Sequence, residues 1–290
     1  MSTLLSVPAR PAEQFTDPIA DHGEGPVWFA AEGLLRMVDM LAGDVITISP
    51  QGALLHREHV GTVAAAIRPR SSGGYVVATE RDLRVIGDSG ETHSFGPAFD
   101  DPAIRFNEGG CTPDGAFLCG TMAYANTPSA GTLYRLEPGG AVSVALSGVT
   151  ISNGLSFTAD GTTMFYTDSA TGRVDIFDYV GGDLRDRQPF AVVDREDGAP
   201  DGLCVDAEGG VWVALWGGGE VRRYDADGRV DDIVTVPVAQ VTACTLGGAD
   251  LTQLFITTSR YGMSDPEPLA GAVFRVDVDI PGTDVLTFAG

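Results

Sequence analysis

A chain of 290 residues with 43% hydrophobic side chains can bury a sizeable core and is not composed like a disordered segment. Its 40 acidic against 18 basic residues give a formal net charge of −22, which repels nucleic acid and anionic membrane surfaces and sets both aside as partners. No stretch reaches the ~18 apolar residues of a membrane helix, and the opening "MSTLLSVPAR" has neither a basic segment nor the apolar run of a secretory signal; a cytoplasmic location is expected.

In chain order the same unit recurs. "EGPVWFAAEGLLRMVDM" leads into "GDVITISP" and "ALLHREHV"; "RSSGGYVVATE" follows; "TPDGAFLCGTM" leads into "GTLYRLEP" and "VSVALSGV"; then come "TADGTTMFYTDS" with "GRVDIFDY", "DAEGGVWVALWG" with "GEVRRYDAD", and "LGGADLTQLFITTS" with the final "GAVFRVDVDI". The turn positions Gly33, Gly74, Gly115, Gly161, Gly209 and Ala249 lie roughly 40–48 residues apart, the period of a propeller array. Each unit reads as four short β-rich runs punctuated by Asp-Gly, Asn-Gly or Gly-Gly, and no long helix is evident. The pattern predicts an all-β, six-bladed β-propeller of four-stranded antiparallel blades, one domain over 1–290 with an irregular segment at about 1–15. The last run is expected to pair with amino-terminal material and close the ring.

The phase of the repeat points to a site. Eight residues before each turn stand Gly25, Ala66, Asn107, Asn153, Asp201 and Val241; with one extra residue counted in the first repeat, Glu24 replaces Gly25. Equivalent positions of different blades share one height on the axis, so Glu24, Asn107, Asn153 and Asp201 are expected to converge. Buried carboxylates need a satisfier, and these oxygen donors suit a hard divalent cation such as Ca²⁺, Mg²⁺ or Mn²⁺. The plain alternative, in which Asn-Gly and Asp-Gly are turn dipeptides, requires all four to share a phase by coincidence.

Other chemistries lack their signatures. Cys111, Cys119, Cys204 and Cys244 have no C-x-x-C spacing and read as buried reduced thiols; His22, His56, His59 and His93 form no paired metal motif, with His22 a candidate for the rim. There is no G-x-S-x-G elbow, and "LWGGGEVRRYD" lacks the Lys-Ser/Thr of a phosphate loop.

"GEGPVW" (23–28), "RFNEGGCTPDGAFLCGTM" (105–122), "SNGLSFTADG" (152–161), "PDGLCVDAEGGVWVA" (200–214) and "VTACTLGG" (241–248) resemble the gluconolactonase/regucalcin family, also called the senescence marker protein family, which includes luciferin-regenerating and phosphotriester-cleaving relatives. The resemblance implies a six-bladed propeller with one divalent metal on Glu24, Asn153 and Asp201, and Arg105 and Asn107 on the substrate. The ion would be Ca²⁺, Mn²⁺, Zn²⁺, Mg²⁺ or Fe²⁺. Glu108 stands where the family commonly has Asp, at the substrate wall. Hydrolysis of a sugar lactone follows as the expected activity, with Asp201 as base toward a metal-activated water, Asn107 donating to the carbonyl or ring oxygen, and Arg105 holding substrate hydroxyl or carboxylate groups. The competing reading of Arg105 is a rim salt bridge to Asp100 or Asp101. Tyr124, in "MAYANTPSAG", is expected at the mouth. The small-molecule lactone is the expected partner, and nothing in the chain sets an oligomeric state. Alternatives are hydrolysis of another lactone, ester or phosphotriester at the same site, or a non-enzymatic metal- or ligand-binding propeller.

Overall fold

The short apolar runs fold as strands because β-branched and aromatic residues pack on a pleated surface, and Gly-containing turns return each strand against the last. The computed structural model describes Val7 and residues 9–290. Two short strands come first, β1 (Ala9–Pro11) and β2 (Glu13–Gln14), inside the segment expected to be irregular; the remainder of that expectation, 1–6 and 8, lies outside the described residues.

Six sheets follow. The first blade is β3 (Gly23–Phe29), β4 (Leu34–Asp39), β5 (Asp44–Ile48) and β6 (Leu54–His59). The second is β7 (Ala66–Pro69), β8 (Tyr75–Ala78), β9 (Asp82–Ile86) and β10 (Thr92–Pro97). The third is β11 (Ile104–Cys111), β12 (Phe117–Ala123), β13 (Gly131–Leu136) and β14 (Val142–Val149). The fourth is β15 (Ser152–Phe157), β16 (Thr163–Asp168), β17 (Arg173–Val180) and β18 (Asp183–Val192). The fifth is β19 (Ala199–Val205), β20 (Val211–Trp216), β21 (Glu220–Tyr224) and β22 (Val230–Thr235). The sixth is β23 (Val241–Gly247), β24 (Gln253–Thr258) and β25 (Val273–Asp277).

The sixth blade takes β2 as its outermost strand, with Glu13 opposite Arg275 and Gln14 opposite Phe274, as the sequence led us to expect for the closing run. β1 adds in parallel to β22 and gives the fifth blade a fifth strand. Outer strands have an open hydrogen-bonding edge, and the amino-terminal strands cover two of them. The inner strands touch in the closed order β3, β7, β11, β15, β19, β23 and back to β3. This is a six-bladed β-propeller.

Apolar side chains of neighbouring blades interleave to make the core; Trp28 of the first blade stacks on Phe255 of the sixth, ring centroids 5.8 Å apart. The carboxyl-terminal segment crosses one end of the axis. Gly282 bridges to Asp206 of the fifth blade, and the fully buried Phe288 donates its N–H to Pro69 of the second. That strap leaves the opposite end of the channel as the open one.

Candidate functional site

Five of the six inner strands break register against their partners. The ladders jump between Glu24 and Val27, Phe106 and Gly109, Ser152 and Leu155, Pro200 and Leu203, and Val241 and Ala243. Such a bulge re-aims the side chains of a strand that would otherwise alternate strictly. The jumps fall at the phase the repeat singled out, and they turn its polar residues into the channel mouth.

The glycines that follow Asn153 and Asp201 therefore lie in strands rather than in turns. A Cβ on Gly154 would come 2.4 Å from the Leu203 nitrogen, and one on Gly202 would come 2.3 Å from the Ala243 Cβ. Adjacent inner strands approach too closely there for any side chain. The first blade corrects the counting of an extra residue: Gly25 holds the ladder position of Asn107, Asn153 and Asp201. Gly25 has φ +49°, in the left-handed region, and Glu24 reaches the cavity from one residue earlier.

A cavity of roughly 470 Å³ opens at this end, with His22, Glu24, Arg105, Asn107, Asn153 and Asp201 among its polar lining. Tyr124, Trp216 and Tyr261 also line it. Asn107 Nδ2 donates to the Ser152 carbonyl at 2.8 Å and to Asn153 Oδ1 at 3.2 Å, while Asn153 Nδ2 donates to Ser169 Oγ at 2.8 Å. The Asn153 carbonyl oxygen is thereby held in one orientation. Asn107 has both amide hydrogens engaged by the protein, so its expected donation to substrate is corrected: it positions Asn153, and its Oδ1 accepts from Arg105 Nη1 at 2.6 Å.

Arg105 is 7% exposed and bonds through Nη1 to Asn107 Oδ1, to the Phe106 carbonyl at 3.0 Å and to Met40 Sδ at 3.1 Å. It makes no salt bridge to Asp100 or Asp101, whose contacts are with other groups. Tyr124 stands at the mouth as expected, half exposed, its hydroxyl donating to Glu80 Oε1 at 2.6 Å. Glu108 is a correction. It does not line the cavity, and its carboxylate lies 3.6 Å from the Arg68 guanidinium of β7, because successive residues at the bulge point to different sides of the strand.

The electrostatics are those of crowded acids. Burial, then the charges of Glu24 and Glu108, drives the Asp201 carboxyl well above the usual carboxylate range; burial, then Glu108, does the same to Glu24. Asp201 Oδ1 is sealed from solvent and has no hydrogen-bond partner among the described residues. An orphaned buried oxygen beside a second buried carboxyl and an oriented amide carbonyl is a donor set that fits a hard divalent cation. Among the described residues no three His, Cys, Asp or Glu side chains gather as a metal-ligating group, so Asn153 would have to supply the third protein oxygen.

Three further residues shape the site. His22, sequestered by burial and next to Arg105, has its pKa pushed down to about 3; its Nδ1 lies 2.8 Å from Ser259 Oγ and its ring meets Trp216 edge-on. Asp39 accepts from the His22 N–H at 3.0 Å, and Asp168 accepts from the Thr150 and Ile151 N–H groups, each at 3.0 Å. These two carboxylates tie down the links that lead into Glu24 and Asn153. Sequence reasoning passed over them, although "VDMLAGDV" and "TDSATGRV" share an Asp and a Gly at matching positions.

The fold and the site define a six-bladed propeller with a polar, cation-fitting well at one end of its axis. Residues 22–260 match the SMP-30/Gluconolactonase/LRE-like region, and the chain belongs to that family. It is 32% identical over 283 residues to regucalcin of Xenopus laevis, covering 92% of this chain and 95% of that protein, and 33% identical over 284 residues to regucalcin of Oryctolagus cuniculus, with the same coverage. Among solved structures it is similar to a calcium-binding protein, regucalcin, from Agrobacterium tumefaciens, with TM-score 0.92 and 25% identity over 98% of this chain and 99% of that one. A gluconolactonase from Xanthomonas campestris shares the fold, with TM-score 0.74 and 22% identity over 91% and 88% of the two chains.

Proposed function

We propose that the protein is a divalent-metal-dependent lactonase that opens a sugar lactone to the free acid. The observation that carries the reading is the unpartnered, buried Asp201 Oδ1 beside Glu24 and the oriented Asn153 carbonyl, in a chain of the gluconolactonase family. Glu24, Asn153 and Asp201 would hold the ion, which when bound supplies polarisation of the ester carbonyl and eases ionisation of a water. Which ion serves in the cell follows from assay, since oxygen donors admit several.

The chain's own groups do the rest. Asp201 takes the proton from the attacking water as the new carbon–oxygen bond forms, and returns it to the ring oxygen as that bond breaks. Arg105 binds the substrate's oxygens, and Asn107 fixes both Arg105 and Asn153 in place. His22, neutral at physiological pH, offers a hydrogen-bonding ring without adding charge. The aromatic wall of Tyr124, Trp216 and Tyr261 covers the apolar faces of a bound ring.

The test is proton release from a panel of aldonolactones by protein stripped with chelator and then restored with Ca²⁺, Mn²⁺, Zn²⁺, Mg²⁺ or Fe²⁺. Activity that disappears on stripping and returns with one or more ions supports the reading. Full metal binding without turnover of any lactone contradicts it and leaves a binding propeller.

A further inference from the structure

The charges around the cavity do not balance. Glu24 and Asp201 are its lining carboxylates, and Glu108 is excluded because it faces Arg68. A divalent cation held there would cancel the first two. With those two cancelled the Arg105 guanidinium remains, buried and without a salt-bridged carboxylate among the described residues.

Its geometry points the same way. Nη1 makes all three of its protein hydrogen bonds, to an amide oxygen, a carbonyl and a thioether sulfur, and each of those acceptors is neutral. Nε and Nη2 carry no hydrogen bond to the described residues, and that edge of a guanidinium takes a carboxylate side-on through two parallel hydrogen bonds. A second arginine, Arg195, lines the cavity from its exposed rim. The chain's overall charge of −22 opposes an anion at long range, but salt screens that field over about 8 Å whereas a charge in a buried well is screened far less.

We propose that the substrate is a lactone that itself carries a carboxylate, read by the Nε/Nη2 edge of Arg105. The proposal rests on the lactonase reading for the reaction but not for the binding.

The experiment uses a matched pair, gluconolactone and glucarolactone, which differ by a terminal carboxylate in place of a hydroxymethyl group. Turnover of each is measured with the metal-restored protein, and calorimetry follows binding of the corresponding lactams, whose rings do not open. The expected result is a preference of about 10- to 100-fold for the carboxylated member in kcat/KM and in affinity, the range of a charge-assisted hydrogen-bonded pair. Arg105→Gln should collapse that preference, and Arg105→Lys, which keeps the charge but not the fork, should retain part of it; the lysine variant also guards against loss of fold in the glutamine one. Equal use of the two lactones, or a preference that survives Arg105→Gln, overturns the proposal. An Arg105-dependent preference in lactam binding without turnover of either lactone supports the anion pocket and contradicts the lactonase reading instead. Absence of both binding and turnover overturns the two together.

Discussion

The inner strands of the second and fifth blades occupy equivalent places in the ring and do opposite things. β7 pairs with β8 in unbroken register, and Ala64 and Ala65 leading into it and its first residue, Ala66, are fully buried and apolar. β19 breaks register between Pro200 and Leu203, and the break puts Asp201 into the cavity. β23 is intermediate: it is bulged, but its Thr242 is satisfied internally, donating to the Gly23 carbonyl at 2.6 Å and pairing with Thr257. A functional position in this propeller therefore needs two things, a bulge to aim the side chain and a polar group that its neighbours leave unsatisfied.

The largest effect should come from making β19 as inert as β7. Asp201→Asn is expected to lower kcat for lactone opening by about 10³-fold, the loss typical of a missing general base, while circular dichroism shows the fold intact. The same change should raise the thermal midpoint of metal-free protein, because it removes a carboxyl that is costly to ionise where it is buried without a partner. Since burial and neighbouring acids raise the Asp201 carboxyl above its unfolded value, its contribution to metal-free stability is full below the ordinary carboxyl range and is lost as pH rises. The advantage of the variant should accordingly widen from acid to neutral pH, a trend that differential scanning calorimetry checks; a constant difference would contradict it.

A methyl group on the bulge should come next. Gly202→Ala places a Cβ against Ala243 and is expected to destabilise the protein by about 1–3 kcal/mol, read from urea midpoints. Asp168→Asn, which removes one of the two acceptors holding Thr150 and Ile151, should cost about 1–3 kcal/mol and weaken metal binding through Asn153 without touching the cavity. The smallest effect belongs to Tyr124→Phe. It loses only the partly exposed bond to Glu80, about 1 kcal/mol or less, and its lactone kinetics should stay close to those of the parent.

Much of this was legible in the chain because a repeat converts spacing into geometry. The turn glycines Gly33, Gly74, Gly115, Gly161 and Gly209 all adopt positive φ at their hairpins, so the period read from them was the period of the blades. Asn153 and Asp201 converge for that reason. Glu24 also reaches the cavity, but the residue count offered for it was wrong: the ladder gives that position to Gly25, and no counting of residues reveals a left-handed glycine that shifts the aim of its neighbour. Glu108 was misplaced because two consecutive bulge residues face different ways, and which of them faces the cavity depends on a partner, Arg68, from another blade. Asn107 shows the same limit, since its hydrogens are claimed by Ser152 and Asn153 across a blade boundary.

The central claim is that the bulged strands deliver one cation site built from Glu24, Asn153 and Asp201. Calorimetric titration of Ca²⁺, Mn²⁺, Zn²⁺, Mg²⁺ and Fe²⁺, each in turn, into chelator-stripped protein, alongside Asp201→Asn and Glu24→Gln, tests it most directly. The account predicts one ion per chain in the parent protein and loss of that binding in both variants. Binding that persists unchanged in the variants, or a parent protein that takes up no divalent ion, would contradict it.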